Sequence, residues 1–394
     1  MASVAENGNA TQFDRKFAQK TQNGQVDIQV EVKSPYGKSG IMTINALTPA
    51  IVGWDVGGAH LKAVQIDADG RVLAVEQVYC PLWRGLAVLE QAIDEVLMRL
   101  SANQHVVTMT GELADIFPNR HTGVDAIART LHRKLTAHHP QAQLKFFTRN
   151  LGGVAFGLLA AYTHEIASMN WYASAQFLAT KVETAIFVDI GSTTTDIALL
   201  QQGKPGVRGL TDATRMACDE LVYTGVVRTP LMALGQKVPF RGKWVNVAAE
   251  HFATTADVYM LSGDISSSDY VAETADGMEK NSMACARRIA RMIGWDAEDA
   301  PFSSWEDLAC AFKAAQSHQI RQALLTQLSL RADDRNRLKV IGAGVGAFLI
   351  KEIAVQLGLD YLAASSFIKA ENGTVKAQAE VCFPAYAVAS LEVV

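Results

Sequence analysis

Phe187-Val188-Asp189-Ile190-Gly191-Ser192-Thr193-Thr194-Thr195-Asp196-Ile197-Ala198-Leu199-Leu200 carries the architecture of this chain. An apolar strand runs into an aspartate, a tight Gly-Ser-Thr turn follows, and a second apolar strand leaves. Ala185 to Val188 is apolar throughout, the pattern of a strand buried on both faces. Gly191 lets the backbone turn sharply and approach a ligand closely. Ser192, Thr193, Thr194 and Thr195 add hydroxyls and backbone N–H groups that can line an anion-binding concavity. Asp189, at the strand end, puts a carboxylate where it can hold Mg²⁺ beside a phosphate. Taken alone, the stretch reads equally well as an ordinary hairpin with a polar turn.

A second copy decides between the two. Ile51-Val52-Gly53-Trp54-Asp55-Val56-Gly57-Gly58-Ala59-His60-Leu61-Lys62-Ala63-Val64 again runs apolar strand, Asp-x-Gly turn, apolar strand. Asp55 matches Asp189, Gly57 matches Gly191 and Gly58 matches Ser192, each pair 134 positions apart. The duplication implies two similar subdomains facing each other, each offering a phosphate loop and a carboxylate. A third cluster, Lys339-Val340-Ile341-Gly342-Ala343-Gly344-Val345-Gly346-Ala347-Phe348, reads as a strand opening into a helix. Its N-terminus, with Gly342, Gly344 and Gly346, can take a nucleotide or phosphate. The same glycines fit the dinucleotide G-x-G-x-x-A fingerprint, with Asp360 near the acidic position. Too little chain follows Asp360 for the rest of a doubly wound sheet, and the duplicated loops would go unexplained.

In order and spacing the three motifs resemble the actin-like ATPase superfamily of sugar kinases, Hsp70 and acetate kinase. There the two Asp-Gly loops are phosphate 1 and phosphate 2, and the late glycine cluster is the adenosine motif. The resemblance implies an α/β fold of duplicated, ribonuclease H-like domains around a central cleft.

The 394 residues give room for two domains of roughly 150–200 residues. Hydrophobic residues at 49% and charged ones at 19% set the chain apart from disordered sequences. A net charge of −4 gives no reason to expect nucleic acid as a partner. No apolar run approaches the roughly 18 residues of a membrane span. The N-terminus lacks the apolar core of a signal peptide. The five cysteines (Cys80, Cys218, Cys285, Cys310, Cys382) form no C-x-x-C pair and read as reduced, mostly buried thiols of a cytoplasmic protein.

Along the chain, residues 1–48 read as a poorly ordered extension, with a strand-like alternation at Val26 to Val32 and Met42 as an alternative start. The first domain spans 49–182. It opens with strands over 51–56, 61–66 and 72–78, then a helix over 86–100. A strand over 106–109 leads to Thr110-Gly111-Glu112, followed by a helix over 124–138 and a strand over 144–148. The alanine-rich 151–179 reads as helical in two pieces. The second domain spans 183–383. It carries a loop at Ser266 to Asp269 that reads as a lid, helices over 283–293, 305–315 and 320–328, and a charged turn over 331–337. A last helix, 384–394, is expected to pack back on the first domain.

Asp55 and Asp189 are the leading candidates for catalysis and for metal binding, with turn-capping as the alternative. His60 and Lys62 leave the first loop on one strand parity, and a lysine there can neutralise a leaving diphosphate. Arg228, in Thr224-Gly225-Val226-Val227-Arg228-Thr229-Pro230, can clamp a phosphate or carboxylate bidentately.

A finer pattern resembles the hydantoinase A/oxoprolinase-like proteins linked to tetrahydromethanopterin C1 transfer. It rests on Gly53-Trp54-Asp55-Val56-Gly57-Gly58-Ala59-His60-Leu61-Lys62, Thr110-Gly111-Glu112-Leu113, Asn170-Trp171-Tyr172-Ala173, Glu220 to Pro230 and Ala256-Asp257-Val258-Tyr259. These stretches cover the chain from about residue 50 onward. The resemblance implies a transferase of methanofuran or methylofuran biosynthesis. It would join an aminomethylfuran-methyl diphosphate to the phenol of a glutamyl-tyramine or tyrosine, forming an aryl ether and releasing pyrophosphate. Mg²⁺ is the implied cofactor; ATP is left open, as is assembly into a homo-oligomer. The phenol proton would go to His60 or Asp189. The alternatives are an ATP-dependent kinase or ATPase of the same fold, which the late glycine cluster favours, and a non-catalytic C1-pathway regulator.

Overall fold

The computed structural model describes residues 13–20, 26–33, 39–46, 50–270, 272–330 and 338–393. The charged turn expected over 331–337 lies outside them. Within 1–48, strands β1 (Phe13–Lys20), β2 (Val26–Lys33) and β3 (Ser39–Ala46) form an antiparallel sheet in the order β1-β2-β3. The other residues of that segment lie outside the described ones. The alternating Val26, Ile28 and Val30 are matched in register by Ala46, Ile44 and Met42, so a second period-two segment pairs with the first.

The first α/β unit opens with an antiparallel meander of β4 (Ala50–Val56), β5 (His60–Asp67) and β6 (Arg71–Tyr79). Then come α1 (Leu86–Leu97), β7 (Gln104–Met109), α2 (Arg120–His138), β8 (Gln143–Thr148), β9 (Gly152–Ala155), α3 (Leu159–Ile166) and α4 (Asn170–Ala179). The second unit repeats the plan with β10 (Thr184–Ile190), β11 (Thr195–Gln201) and β12 (Lys204–Pro205). It continues through α5 (Asp212–Met216), β13 (Leu221–Val222), β14 (Lys237–Phe240), β15 (Lys243–Asn246), α6 (Thr255–Leu261), α7 (Ser282–Arg291) and α8 (Phe302–Ser329). β16 (Lys339–Ala343), α9 (Ala347–Gln356) and β17 (Asp360–Ala363) complete its sheet. The strand orders β6-β5-β4-β7-β8 and β12-β11-β10-β16-β17 are the same order, third-second-first-fourth-fifth within each unit. The last two strands run parallel to the first in both.

The chain then crosses back as β18 (Lys369–Ala370), parallel to β6, followed by α10 (Gly373–Val381) and α11 (Phe383–Ser390). The return expected at residue 384 therefore begins by Lys369. Tyr386 fixes it, accepting from the Lys369 N–H at 3.2 Å and donating to the Gly70 carbonyl at 3.3 Å. Two further expectations change. Gly152 sits at φ 68° and Gly153 follows it, and this pair opens β9 where a helix was expected. The two helices expected over 305–315 and 320–328 are one, α8, because the joining residues 316–319 include no glycine or proline to break it, and Gln316 there is fully buried and hydrogen-bonded. Among the described residues no helix is long and apolar enough to cross a membrane.

Strand parity places the core. On β4, Val52, Trp54 and Val56 join the apolar cluster under α1 and α2, whereas Ile51 faces the cluster built on α4 and α11. On β10, Ile186 and Val188 face the core of the second unit, and Ala185 and Phe187 share the α4–α11 cluster. These two helices are thus layered between the sheets. Asp55 and Asp189 end the parity rows that face inward. Gly53 lies in that row because α11 rests on it: an added Cβ would overlap the Ala385 carbonyl and come within 2.9 Å of the Ala389 methyl. Gly53→Val is therefore expected to lower unfolding free energy by at least about 2 kcal/mol in urea titrations. A loss within error of zero would mean that α11 yields freely.

Candidate active site

The two duplicated loops close in the same way. Gly57 N–H donates to the His60 carbonyl and Gly191 N–H to the Thr194 carbonyl, both at 2.9 Å. Cross-strand register then sets Asp55 opposite Lys62 and Asp189 opposite Asp196. The repeat therefore differs at one charged position, a lysine in one copy and an aspartate in the other. Both loops open onto a single cleft of about 680 Å³. Asp55, Gly57, Gly58, His60 and Lys62 line one side. Asp189, Gly191, Ser192, Thr193, Thr194 and Arg228 line the other.

Burial dominates the electrostatics. It pushes the Asp55 carboxyl above its usual range, against the pull of Lys62 and the Asn170 amide. Asp55 Oδ1 is buried without a hydrogen-bond partner, an expensive arrangement that a cation would relieve. Asp189 is pushed up to about 7 by burial and then by the Asp196 charge, with Lys62 opposing. His60 is held down to about 4 by burial and by the cations Lys62 and Arg228, so its ring is neutral at pH 7. Its Nε2 is buried and unpartnered. Among the described residues no group of three or more His, Cys, Asp or Glu side chains is arranged to hold a metal. Two carboxylates beside a phosphate loop fit Mg²⁺, which keeps several waters and takes one or two carboxylates plus substrate phosphates.

Three candidates do not line this cleft. Thr195 is fully buried and its hydroxyl donates to the Thr224 carbonyl at 2.7 Å, so it braces the wall and does not offer itself to a phosphate. Gly342 abuts the Tyr361 ring, where an added Cβ would lie 2.7 Å from a ring carbon. Gly346 packs on Ile190. Packing alone therefore requires these two glycines. Only Gly344 reaches the cleft, at φ 81°, where it lies directly against the Asp189 carboxylate.

Several cleft residues were not among the candidate site residues, although Thr110, Asn170 and the Ser266–Asp269 loop belong to stretches quoted from the sequence. Asp196 lines the cleft, and its Oδ1 accepts from the buried Arg215 at 2.6 Å. Applying the 134-residue offset to Lys62 would have found it. Thr110, Asn170, Tyr79, Ser268 and Asp269 line it too, the last two from the loop read as a lid.

The loops are held from behind. Val226 N–H donates to the Gly191 carbonyl and Arg228 N–H to that of Ser192, at 3.1 and 2.8 Å. Any side chain at Gly225 would overlap the Ser192–Thr193 peptide. Gln316 from α8 donates to Thr224 Oγ1 and to the Gly225 carbonyl, both at 2.8 Å. On the other side, the buried Glu112 accepts from Ser168 Oγ at 2.7 Å and so fixes the turn that presents Asn170. Ion pairs Arg120–Asp212 (2.7 Å) and Arg84–Glu273 join the two units across the opening.

Comparison with known proteins agrees with this architecture. The family model described as Hydantoinase/oxoprolinase matches residues 103–377. A Methanocaldococcus jannaschii protein is 31% identical over 251 residues, 63% of this chain and 72% of that one. A Methanococcus vannielii protein is 30% identical over 185 residues, 46% of this chain and 81% of the relative. Both are named (4-{4-[2-(gamma-L-glutamylamino)ethyl]phenoxymethyl}furan-2-yl)methanamine synthase. Among solved structures, nucleotide-free acetone carboxylase is similar at TM-score 0.52 and 12% identity, covering 87% of this chain and 70% of that one. At that identity the likeness speaks for the fold alone. The duplicated sheets and central cleft are those of the actin-like ATPase fold, and the chain belongs to the hydantoinase/oxoprolinase family.

Proposed function

We propose that this protein is the transferase that forms an aryl ether from a furan-methyl diphosphate and a phenol in methanofuran-type biosynthesis. The observation that carries the reading is the pairing of two phosphate loops with inward-facing carboxylates across one cleft. The names of the two methanogen relatives, whose product is a phenoxymethyl-furan, support it.

In the proposed step, the bond between the furan methylene carbon and the diphosphate oxygen breaks, and its electron pair leaves with pyrophosphate. The phenol oxygen forms the new bond to that carbon and gives up its proton. The two loops and Arg228 would take the diphosphate, with Lys62 offsetting the developing charge. Asp55 and Asp189 are the side chains that would hold Mg²⁺, which when bound supplies positive charge against the departing diphosphate. Of the two candidate bases we assign His60, whose unpartnered Nε2 is free to accept. Burial is the main cause of its low basicity, with Lys62 and Arg228 adding to it; a bound diphosphate would neutralise those two cations and so lift His60 part of the way toward the range a general base needs.

The test is pyrophosphate release by the full chain with Mg²⁺, furan diphosphate and γ-glutamyltyramine, without ATP, with mass spectrometry for the ether in the same tube. Acceptor-dependent pyrophosphate together with ether is the expected result. No product without ATP, but ADP once ATP is added, would replace this reading with the kinase one.

A further inference from the structure

Beside the main cleft lies a second lobe of about 360 Å³. The two share a wall that includes Thr194, Asp196 and Arg228. The main cleft is lined mostly by charged groups, hydroxyls and glycines. The second lobe is as polar, with Asp115, Asp212 and Arg215 in its lining, but it adds three aromatic side chains where the main cleft has Tyr79 alone. Trp83, Leu113 and Tyr223 line the second lobe while remaining 37%, 40% and 58% exposed, and the buried Trp171 lines it too. Large apolar side chains left open within a concavity mark a binding surface more than a solvent face.

The lobe's two ends differ in chemistry. The Arg228 guanidinium lies 5.2 Å from the Trp83 ring centre, and Arg215 stacks on Trp171 at 3.6 Å. These cations hold the indoles in place. At the shared wall, the Thr194 hydroxyl and the Asp196 carboxylate offer hydrogen-bond acceptors. A matching ligand has a flat aromatic body and one hydroxyl at its tip, which describes a phenol.

We infer that this second lobe is the acceptor subsite. The phenol ring packs against Trp83 and Tyr223, and its hydroxyl points through the shared wall toward the diphosphate-binding loops. The identity of the occupant rests on the transferase reading; the existence of an aromatic subsite does not.

The test is calorimetric titration of the full chain with γ-glutamyltyramine in the absence of diphosphate, repeated on Trp83→Ala and Tyr223→Ser. Both positions are open to solvent, so the variants are expected to fold, and circular dichroism checks that. Each should bind the phenol at least about tenfold more weakly. In turnover assays each should raise KM for the phenol while leaving KM for the diphosphate within about twofold. Wild-type affinity in both variants overturns the subsite, as does absence of binding heat from wild-type protein at millimolar phenol. Variant-sensitive binding with no ether formed upholds the subsite and removes the transferase reading. Ether formation with unchanged phenol KM in both variants does the reverse.

Discussion

Asp189→Asn is expected to lower turnover by about 10²–10³-fold, the scale seen when one preorganised group facing developing charge is removed. The substitution keeps the shape and removes the charge at the point where β10, Gly344 and the second phosphate loop meet. It should do so without harm to the fold, and the sign of the effect follows from linkage. The Asp189 carboxyl titrates at about 7 in the folded chain, against an ordinary value of 3.8. The folded state therefore holds the proton more tightly than the unfolded one. The stability this confers is present below pH 3.8 and is lost as pH rises through 7. A neutral asparagine side chain carries no such penalty, so the variant should match or exceed wild-type stability at about pH 8. Added Mg²⁺ should raise the melting temperature of wild-type protein and have little effect on the variant. Pyrophosphate release and thermal unfolding, measured on the same preparations, check both halves. Turnover within about threefold of wild type in a folded variant would remove Asp189 from the mechanism.

Arg288→Met should be the more damaging change to stability, at about 3–5 kcal/mol in urea unfolding. Arg288 and Asp257 are both fully buried, and the guanidinium reaches the carboxylate through Nη2 at 2.7 Å and Nε at 2.8 Å. It also donates to Asp276 at 3.0 Å and to the Glu279 carbonyl at 3.0 Å, tying the loop before α7 to α6. Methionine fills much of the volume but leaves the Asp257 charge without its partner in a low-dielectric core. Combining Arg288→Met with Asp257→Leu removes that charge and should recover part of the loss. A single-variant cost below about 1 kcal/mol would mean that water or another donor reaches Asp257. Ala256-Asp257-Val258-Tyr259 thus supplies a buried counter-ion to α7, and its Ala256 N–H braces the Val227 carbonyl behind the cleft at 3.3 Å.

Fold and most of the cleft were legible in the sequence. A strand ending in Asp-x-Gly, written twice 134 positions apart, has few uses other than two loops facing one another. Asp55, Asp189, Gly57 and Gly191 meet around one cleft as that duplication required, and Arg228 joins them from a separate turn. Local pattern suffices there because a turn and the two strands it joins are neighbours along the chain.

What each residue's far side touches came from tertiary packing. Gly342 and Gly346 carry a nucleotide-like spacing, yet Tyr361 and Ile190 fill the space beside them. Thr195 carries a hydroxyl in the right turn, but its strand parity turns it into the wall, toward Thr224. Gly53, quoted as part of a motif, is explained by α11 at the opposite end of the chain. The aromatic lobe draws Trp83, Leu113 and Tyr223 from segments with no shared pattern. Such contacts join residues far apart in sequence, and no local period encodes which of them will meet.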